Sequence, residues 1–369
     1  MRTIFRCCLS VAILIWLPSG SNHAFEINSD LVRKLKSPDL ATTRQAIQSL
    51  AEAGPESASA VPALLRAMGV HDGALHNEIS AALVKIGAPP KEAVPELVRL
   101  MHDEHGLVRF LTAGALRKIG PVDREIVESF LPGLGSQEAH ERELAVEALG
   151  LLRAPDEIAV PALVRAMDDS DASVRLAAAL AATRHLPAWQ EEPGPALKKL
   201  LPSLVAATRD QDPQVRCRAA TALGERGPAA RTAVPALVEM LEKEELAWIH
   251  GYTALALGNI GPAAAPAVPA LEKALRTGNP GERQRFVFAL GRIQREKAVP
   301  MLIEMLQDPN LDVRRQAVSS LGEQGLAAAP ALESLIALSD DPDKLLREEA
   351  TRVLQRLRSA LSRAADMPK

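Results

Sequence analysis

The residues of this chain best suited to chemistry are histidines at two corner positions. His102-Asp103-Glu104-His105 and His71-Asp72 with His76 fall at equivalent points of adjacent sequence repeats, so the two groups could approach one another. Imidazole and carboxylate ligands together suit zinc or a similar ion. The spacing matches no recognised ligand motif, and no two histidines stand at i and i+4. Solvated corners are the competing reading, and the expectation is no metal and no cofactor. Nucleophilic and phosphate chemistry has less to work with. There is no Gly-x-Ser-x-Gly, no phosphate-binding glycine loop and no dinucleotide fingerprint. No nucleophile has an evident base, and the chain is expected not to be an enzyme.

A second set of residues points to binding. Arginine recurs at Arg109, Arg142, Arg175, Arg216, Arg283, Arg314 and Arg347, with His76 and His250 in the same column. Two readings compete. One is a cationic ladder for an extended acidic ligand. The other is a set of structural joints, each Arg reaching an acid such as Asp212 or Asp312 in its own or the next repeat. Recurrence with the repeat period favours joints. A different column carries Arg66, Arg99 and Arg165 early, then Glu239, Lys273 and Glu304 late, which predicts a surface positive at first and mixed further on. Aromatic residues make up only 3% of the chain, so an exposed one carries information. Trp189 lies among prolines and polar residues and is the leading interaction candidate. Trp248 and Tyr252 stand four apart on a helix flank, either exposed or packed on the preceding repeat. Phe286 and Phe288 are expected in the core.

These residues need a scaffold, and the chain supplies one repeatedly. In residues 213–242, Val215, Ala219, Ala222 and Leu223 form one apolar helical face. Gly227 suits the left-handed residue that ends a helix, and Pro228 prevents continuation. Pro235 fits the first turn of a second helix, whose apolar stripe is Leu237, Val238 and Leu241. That proline recurs at Pro62, Pro95, Pro132, Pro161, Pro202, Pro235, Pro269, Pro300 and Pro330, 29 to 41 residues apart. Ala-Leu-Gly closes the first helix at 148–150, 222–224, 256–258 and 289–291. A period in the low thirties with two helices each predicts an all-α, right-handed α-solenoid of about ten repeats.

The pattern Asp-Pro-x-Val-Arg-x-x-Ala-x-x-Ala-Leu-Gly-x-x-Gly, succeeded by Ala-Val-Pro-Ala-Leu, resembles the HEAT-like repeats named after phycobilisome lyases. The resemblance covers residues 28–358. It implies second helices lining a concave face, and it allows scaffolds, lyases and hydroxylases alike. Deoxyhypusine hydroxylase, a similar solenoid, is marked by several iron-binding His-Glu pairs, and only His140-Glu141 occurs here. The expected role is an interaction scaffold whose partner is another protein. A metal- or cofactor-dependent enzyme, or a lyase-type chaperone, is the alternative.

Residues 1–24 read as a secretory signal peptide, with Arg2 and Arg6 before an apolar run from Cys7 to Leu17 and small residues after it. Cleavage is expected after Ala24, or after Ser21, with an uncleaved anchor as the competitor. The mature chain would be periplasmic or secreted, with Cys217 its one cysteine and no disulfide. The balance of 43 Lys and Arg against 46 Asp and Glu argues against nucleic acid as a partner. Residues 25–369 form one solenoid. Ser29–Lys36 caps it as a half-repeat, the repeat at Pro132 is degenerate, and a surface insertion falls near 186–195. The last opening helix is expected over 343–358, with a polar tail from Ser359.

Overall fold

The computed structural model describes residues 29–70, 74–120, 124–186 and 192–365. The signal peptide, His71, Asp72 and Trp189 lie outside these residues. Every element among the described residues is helical. The chain divides into two compact units, Met1–Asp123 and Arg124–Lys369. The division falls in the repeat whose second half is weakest in sequence.

The first unit contains α1 (29–34), α2 (Leu40–Ala53), α3 (Val61–Val70), α4 (His76–Ile86), α5 (Val94–Leu100) and α6 (Gly106–Ile119). The second begins with α7 (Arg124–Glu128), α8 (Ala139–Leu152), α9 (Asp156–Ala166), α10 (Ala172–His185), α11 (Pro195–Ala207) and α12 (Pro213–Glu225). It continues through α13 (Val234–Lys243), α14 (Ala247–Ile260), α15 (Val268–Thr277) and α16 (Pro280–Gln294). It ends with α17 (Val299–Met305), α18 (Leu311–Glu323), α19 (Leu332–Ala337) and α20 (Lys344–Ala365). Even-numbered helices open the repeats, and odd-numbered ones close them.

Local chemistry sets the boundaries. The side chains of Asp39, Asp171, Asp212, Asn279 and Asn310 accept backbone N–H groups at the starts of α2, α10, α12, α16 and α18. Such caps are worth about 1 kcal/mol each. Gly227 ends its opening helix at a φ of 62°, as the sequence predicts. The corner itself is a seven-residue 3-10 turn, Gly227–Ala233, rather than a tight one. Pro95, Pro235, Pro269 and Pro300 then sit in the first turn of the closing helix. Pro161 and Pro202 do not, because α9 and α11 start earlier, at Asp156 and Pro195. Pro132 and Pro330 belong to 3-10 turns. Pro195 thus opens a helix, and the insertion ends before it.

Ala-Leu-Gly does not close the opening helices, which run on one to three residues. Its glycine serves packing. A methyl on Gly150 would stand 2.5 Å from the Cβ of Ala181, and one on Gly224 would stand 2.5 Å from the Cα of Ala256. Neighbouring opening helices therefore touch backbone to backbone. The buried apolar cluster of the second unit extends from Val146 to Leu357 with contributions from every repeat. Each Leu or Ile so buried contributes about 1.5–3 kcal/mol. Residues 247–277, apolar enough by length and composition to cross a membrane, are half buried in this layer as α14, a turn and α15. Phe286 is in the core, whereas Phe288 is half-buried under Arg292. The last helix continues to Ala365, beyond the expected end at 358, because Leu357 and Leu361 keep packing on the core.

Two substitutions test this packing. Gly224→Ala should lower stability by about 1–3 kcal/mol despite alanine's better helix propensity. Arg153 is exposed at a left-handed φ of 52°, in the place glycine takes elsewhere. Arg153→Gly should therefore be neutral or stabilising, by up to about 1 kcal/mol. Urea unfolding midpoints measure both.

Candidate functional site

The recurrent arginine makes the joint between repeats. Arg142 donates from Nη1 to the carbonyls of Ser136 and Gln137, both at 3.0 Å. Its Nε and Nη2 reach the Asp169 carboxylate at 2.8 and 2.9 Å. Arg175 then bonds the Asp169 carbonyl at 2.9 Å and the Asp210 carboxylate at 2.6 and 2.8 Å. Arg216 bonds the Asp210 carbonyl at 2.9 Å and the Glu244 carboxylate at 2.8 and 3.0 Å. Arg283 pairs with Asp308 at 2.9 Å, and Arg314 and Arg347 hold the carbonyls of Asp308 and Asp341 in turn. In the first unit Arg109 holds the carbonyls of Asp103 and Glu104 at 2.8 and 3.0 Å. One guanidinium thus fastens its own corner and, in the second unit, the acid that begins the next.

This settles the competition between the two readings in favour of joints. The acids are not Asp212 or Asp312, however. Asp212 caps α12, and Asp312 lies in the first turn of α18, 3.8 Å from Arg315. The hydrogen bond from Arg142 holds the Asp169 carboxyl below its ordinary range. At Asp210, Glu244 and Asp308 burial is the largest influence and pushes upward, but the arginine bond, backbone N–H donors and nearby arginine charge together outweigh it. The four paired arginines are lifted further above their usual value by the same bonds.

One joint uses histidine. His250 faces the Glu282 carboxylate through Nδ1 at 2.9 Å and the Glu244 carbonyl through Nε2 at 2.6 Å. The imidazole thus stands between an acid and a carbonyl, where an arginine stands in the other joints.

The second charged column is not a bare positive stripe. Arg66 and Arg99 share Glu96 as ion-pair partner, each at 3.0 Å. Arg165 is exposed and lines a small cleft with Arg142 and Asp169. Glu239 lies between Arg209 and Lys243, and those bonds pull its carboxyl down to about 2. His105 Nδ1 lies 3.0 Å from Asp103, and no group of three or more metal-ligating side chains occurs among the described residues, which exclude His71 and Asp72.

Trp248 and Tyr252 are both exposed and line a groove together with residues of the preceding repeat. Their rings meet edge to face with centroids 6.3 Å apart and remain 42% and 38% exposed. They form one wall of a groove of about 490 Å3, with Cys217 and Thr221 of α12 and Leu176 and Leu180 of α10 opposite. Arg285 of α16 lies over the Tyr252 ring at 5.1 Å. It does so across Gly251, where a Cβ would strike the Arg285 side chain. Gly251 was the sequence signal for this contact, a glycine costing about 1 kcal/mol in mid-helix. Burial raises the pKa of the Cys217 thiol, which makes it an unreactive lining group.

Sequence reasoning also missed Arg226, which is completely buried. It donates to the carbonyls of Leu186 and Thr183 at the end of α10 and pairs with Glu225 at 2.8 Å. Burial lowers its pKa. The arginine therefore ties down the helix that leads into the insertion.

The sequence matches the profile of HEAT repeats over residues 28–117, 201–285 and 268–355. The chain belongs to the HEAT-repeat family. No curated protein matches it in sequence. Among solved structures it is similar to Kap121p, with a TM-score of 0.62 and 14% identity, covering 93% of this chain and 46% of that one. It is also similar to YibA of E. coli, with a TM-score of 0.53 and 18% identity over 72% of this chain and 92% of that one. The phycocyanin lyase complex CpcE–CpcF of Nostoc gives a TM-score of 0.40 and 24% identity, over 64% of this chain and 96% of that one.

Arg216→Ala leaves Glu244 largely buried without its partner and should cost about 2–4 kcal/mol. His250→Arg should retain its joint. The depressed acids stabilise the fold above the ordinary carboxylate range and lose that contribution as pH falls through their folded values. Urea midpoints should therefore drop on acidification below about pH 4, and by less in Arg216→Ala than in wild type.

Proposed function

We propose that the chain is a non-enzymatic scaffold that binds another protein, exported from the cytoplasm by residues 1–24. The carrying observation is the Trp248–Tyr252–Arg285 cluster, a preformed aromatic surface in a chain with only 3% aromatic residues. Large aromatic and arginine side chains are the commonest anchors of protein interfaces. Several solved structures of Kap121p hold a protein or protein segment, including Nup53p and Pho4p, which supports protein binding as a use of this fold. The repeat arginines are occupied in joints, which leaves the departures from periodicity as the recognition features. Trp189 on the insertion is a second candidate anchor.

Two measurements test this reading. Protein purified from the envelope of its native cells should begin at Phe25 by mass spectrometry, and an intact Met1 terminus would contradict export with cleavage. Wild-type protein should recover a defined partner from that fraction, and Trp248→Ala/Tyr252→Ala should lose it. Equal recovery by both would remove the cluster as the anchor.

A further inference from the structure

The groove on α10, α12 and α14 brings arginines without an acidic partner to an apolar floor. Many arginines here are engaged: those in the joints by acids or carbonyls, Arg66 and Arg99 by Glu96, Arg209 by Glu239. Arg218 lines the groove, and Arg285 stands over the ring of Tyr252. Among the described residues no acid forms an ion pair with either, and the groove lining contains no carboxylate. The nearby acid Glu244 is already bonded twice to Arg216. Arg184 on α10 lies within electrostatic reach of Arg218, with Glu147 beside it. The floor is apolar: Leu176, Leu180, Cys217 and the two aromatic rings. In a chain with more acids than bases, this is a locally cationic, apolar trough of about 490 Å3, within the roughly 300–1,000 Å3 of ordinary ligand sites.

We infer that this groove takes an acidic peptide segment of a partner protein, with one large apolar side chain seated between Leu180 and Tyr252 and flanking carboxylates on Arg218 and Arg285. The inference rests on the scaffold reading above and adds the chemistry of the ligand. Guanidinium groups bind carboxylates through paired N–H donors, and Arg285 is held for this by its stack on Tyr252. Gly251 is what permits the stack, so the arginine is positioned before any ligand arrives. The site is on the opening helices, where periodicity alone places only packing residues. A nucleic acid would also answer to two arginines and two aromatics, but a chain of net charge -3 supplies few unpaired cations to follow a continuous phosphate backbone.

A random heptapeptide library displayed on phage is the probe. Wild-type protein should enrich peptides with Asp or Glu flanking Leu, Phe or Trp. The best synthetic peptide should bind Tyr252→Ala and Gly251→Ala at least about ten-fold more weakly. Arg218→Glu/Arg285→Glu should reverse the selection toward Lys and Arg around the same apolar residue, a gain that misfolding cannot produce. Enrichment without acidic residues, no enrichment, or peptides that bind every variant equally would each overturn the acidic ligand. If partner capture from the envelope still depends on Trp248 and Tyr252 in that case, the scaffold reading stands and only the ligand chemistry falls. If capture is also unaffected, both fall.

Discussion

A guanidinium that bonds its own corner and the next repeat's acid is the interaction on which the order of this molecule depends. The hydrophobic layer behind it is made of Ala, Val and Leu repeated with little variation, and such a layer would pack nearly as well after a slip. The arginine removes that freedom. Arg175 needs the Asp169 and Ser170 carbonyls on one side and the Asp210 carboxylate on the other, with bonds between 2.6 and 3.0 Å. Because Asp210 also offers its carbonyl to Arg216, each acid belongs to two joints at once. The result is a linked row of charges, partly shielded from water, along the second unit.

Close helix contact is the second constraint, and the first one imposes it. Holding corners in register brings successive opening helices together at Gly150 and Gly224, where no side chain fits. Stability in such a row is a sum of repeats and their interfaces. A break at one joint therefore exposes two layers, not one. Departures from the pattern are tolerated only where another contact replaces the loss. His250 retains a joint without arginine, and buried Arg226 holds the end of α10 where the insertion lengthens the corner.

Most of the architecture was legible because it is written many times. Val215, Leu223 and Gly227 have counterparts in repeat after repeat, so chance matches cancel. The exceptions were illegible for the same reason. The starts of α9 and α11 depend on Pro155-Asp156 and Pro195, single signals masked by the recurrent proline. The acids that meet the arginines could not be picked out, since Asp210 and Asp212 stand two apart and only the first faces the preceding repeat. At the groove, Trp248 and Tyr252 were visible as rare residues. Arg285 was not, because it arrives from a different helix and is admitted by an unremarkable glycine.

The proposed recognition surface lies where the repeat stops repeating. Joints use up the periodic charges, leaving an aromatic cluster with unpaired arginines as the surface that differs from its neighbours. The joints must therefore couple adjacent repeats energetically. A double-mutant cycle on Arg216 and Glu244, each replaced by alanine and analysed by urea unfolding, measures that coupling directly. A coupling free energy of at least about 1 kcal/mol is predicted, and additive effects of the two substitutions would contradict the account.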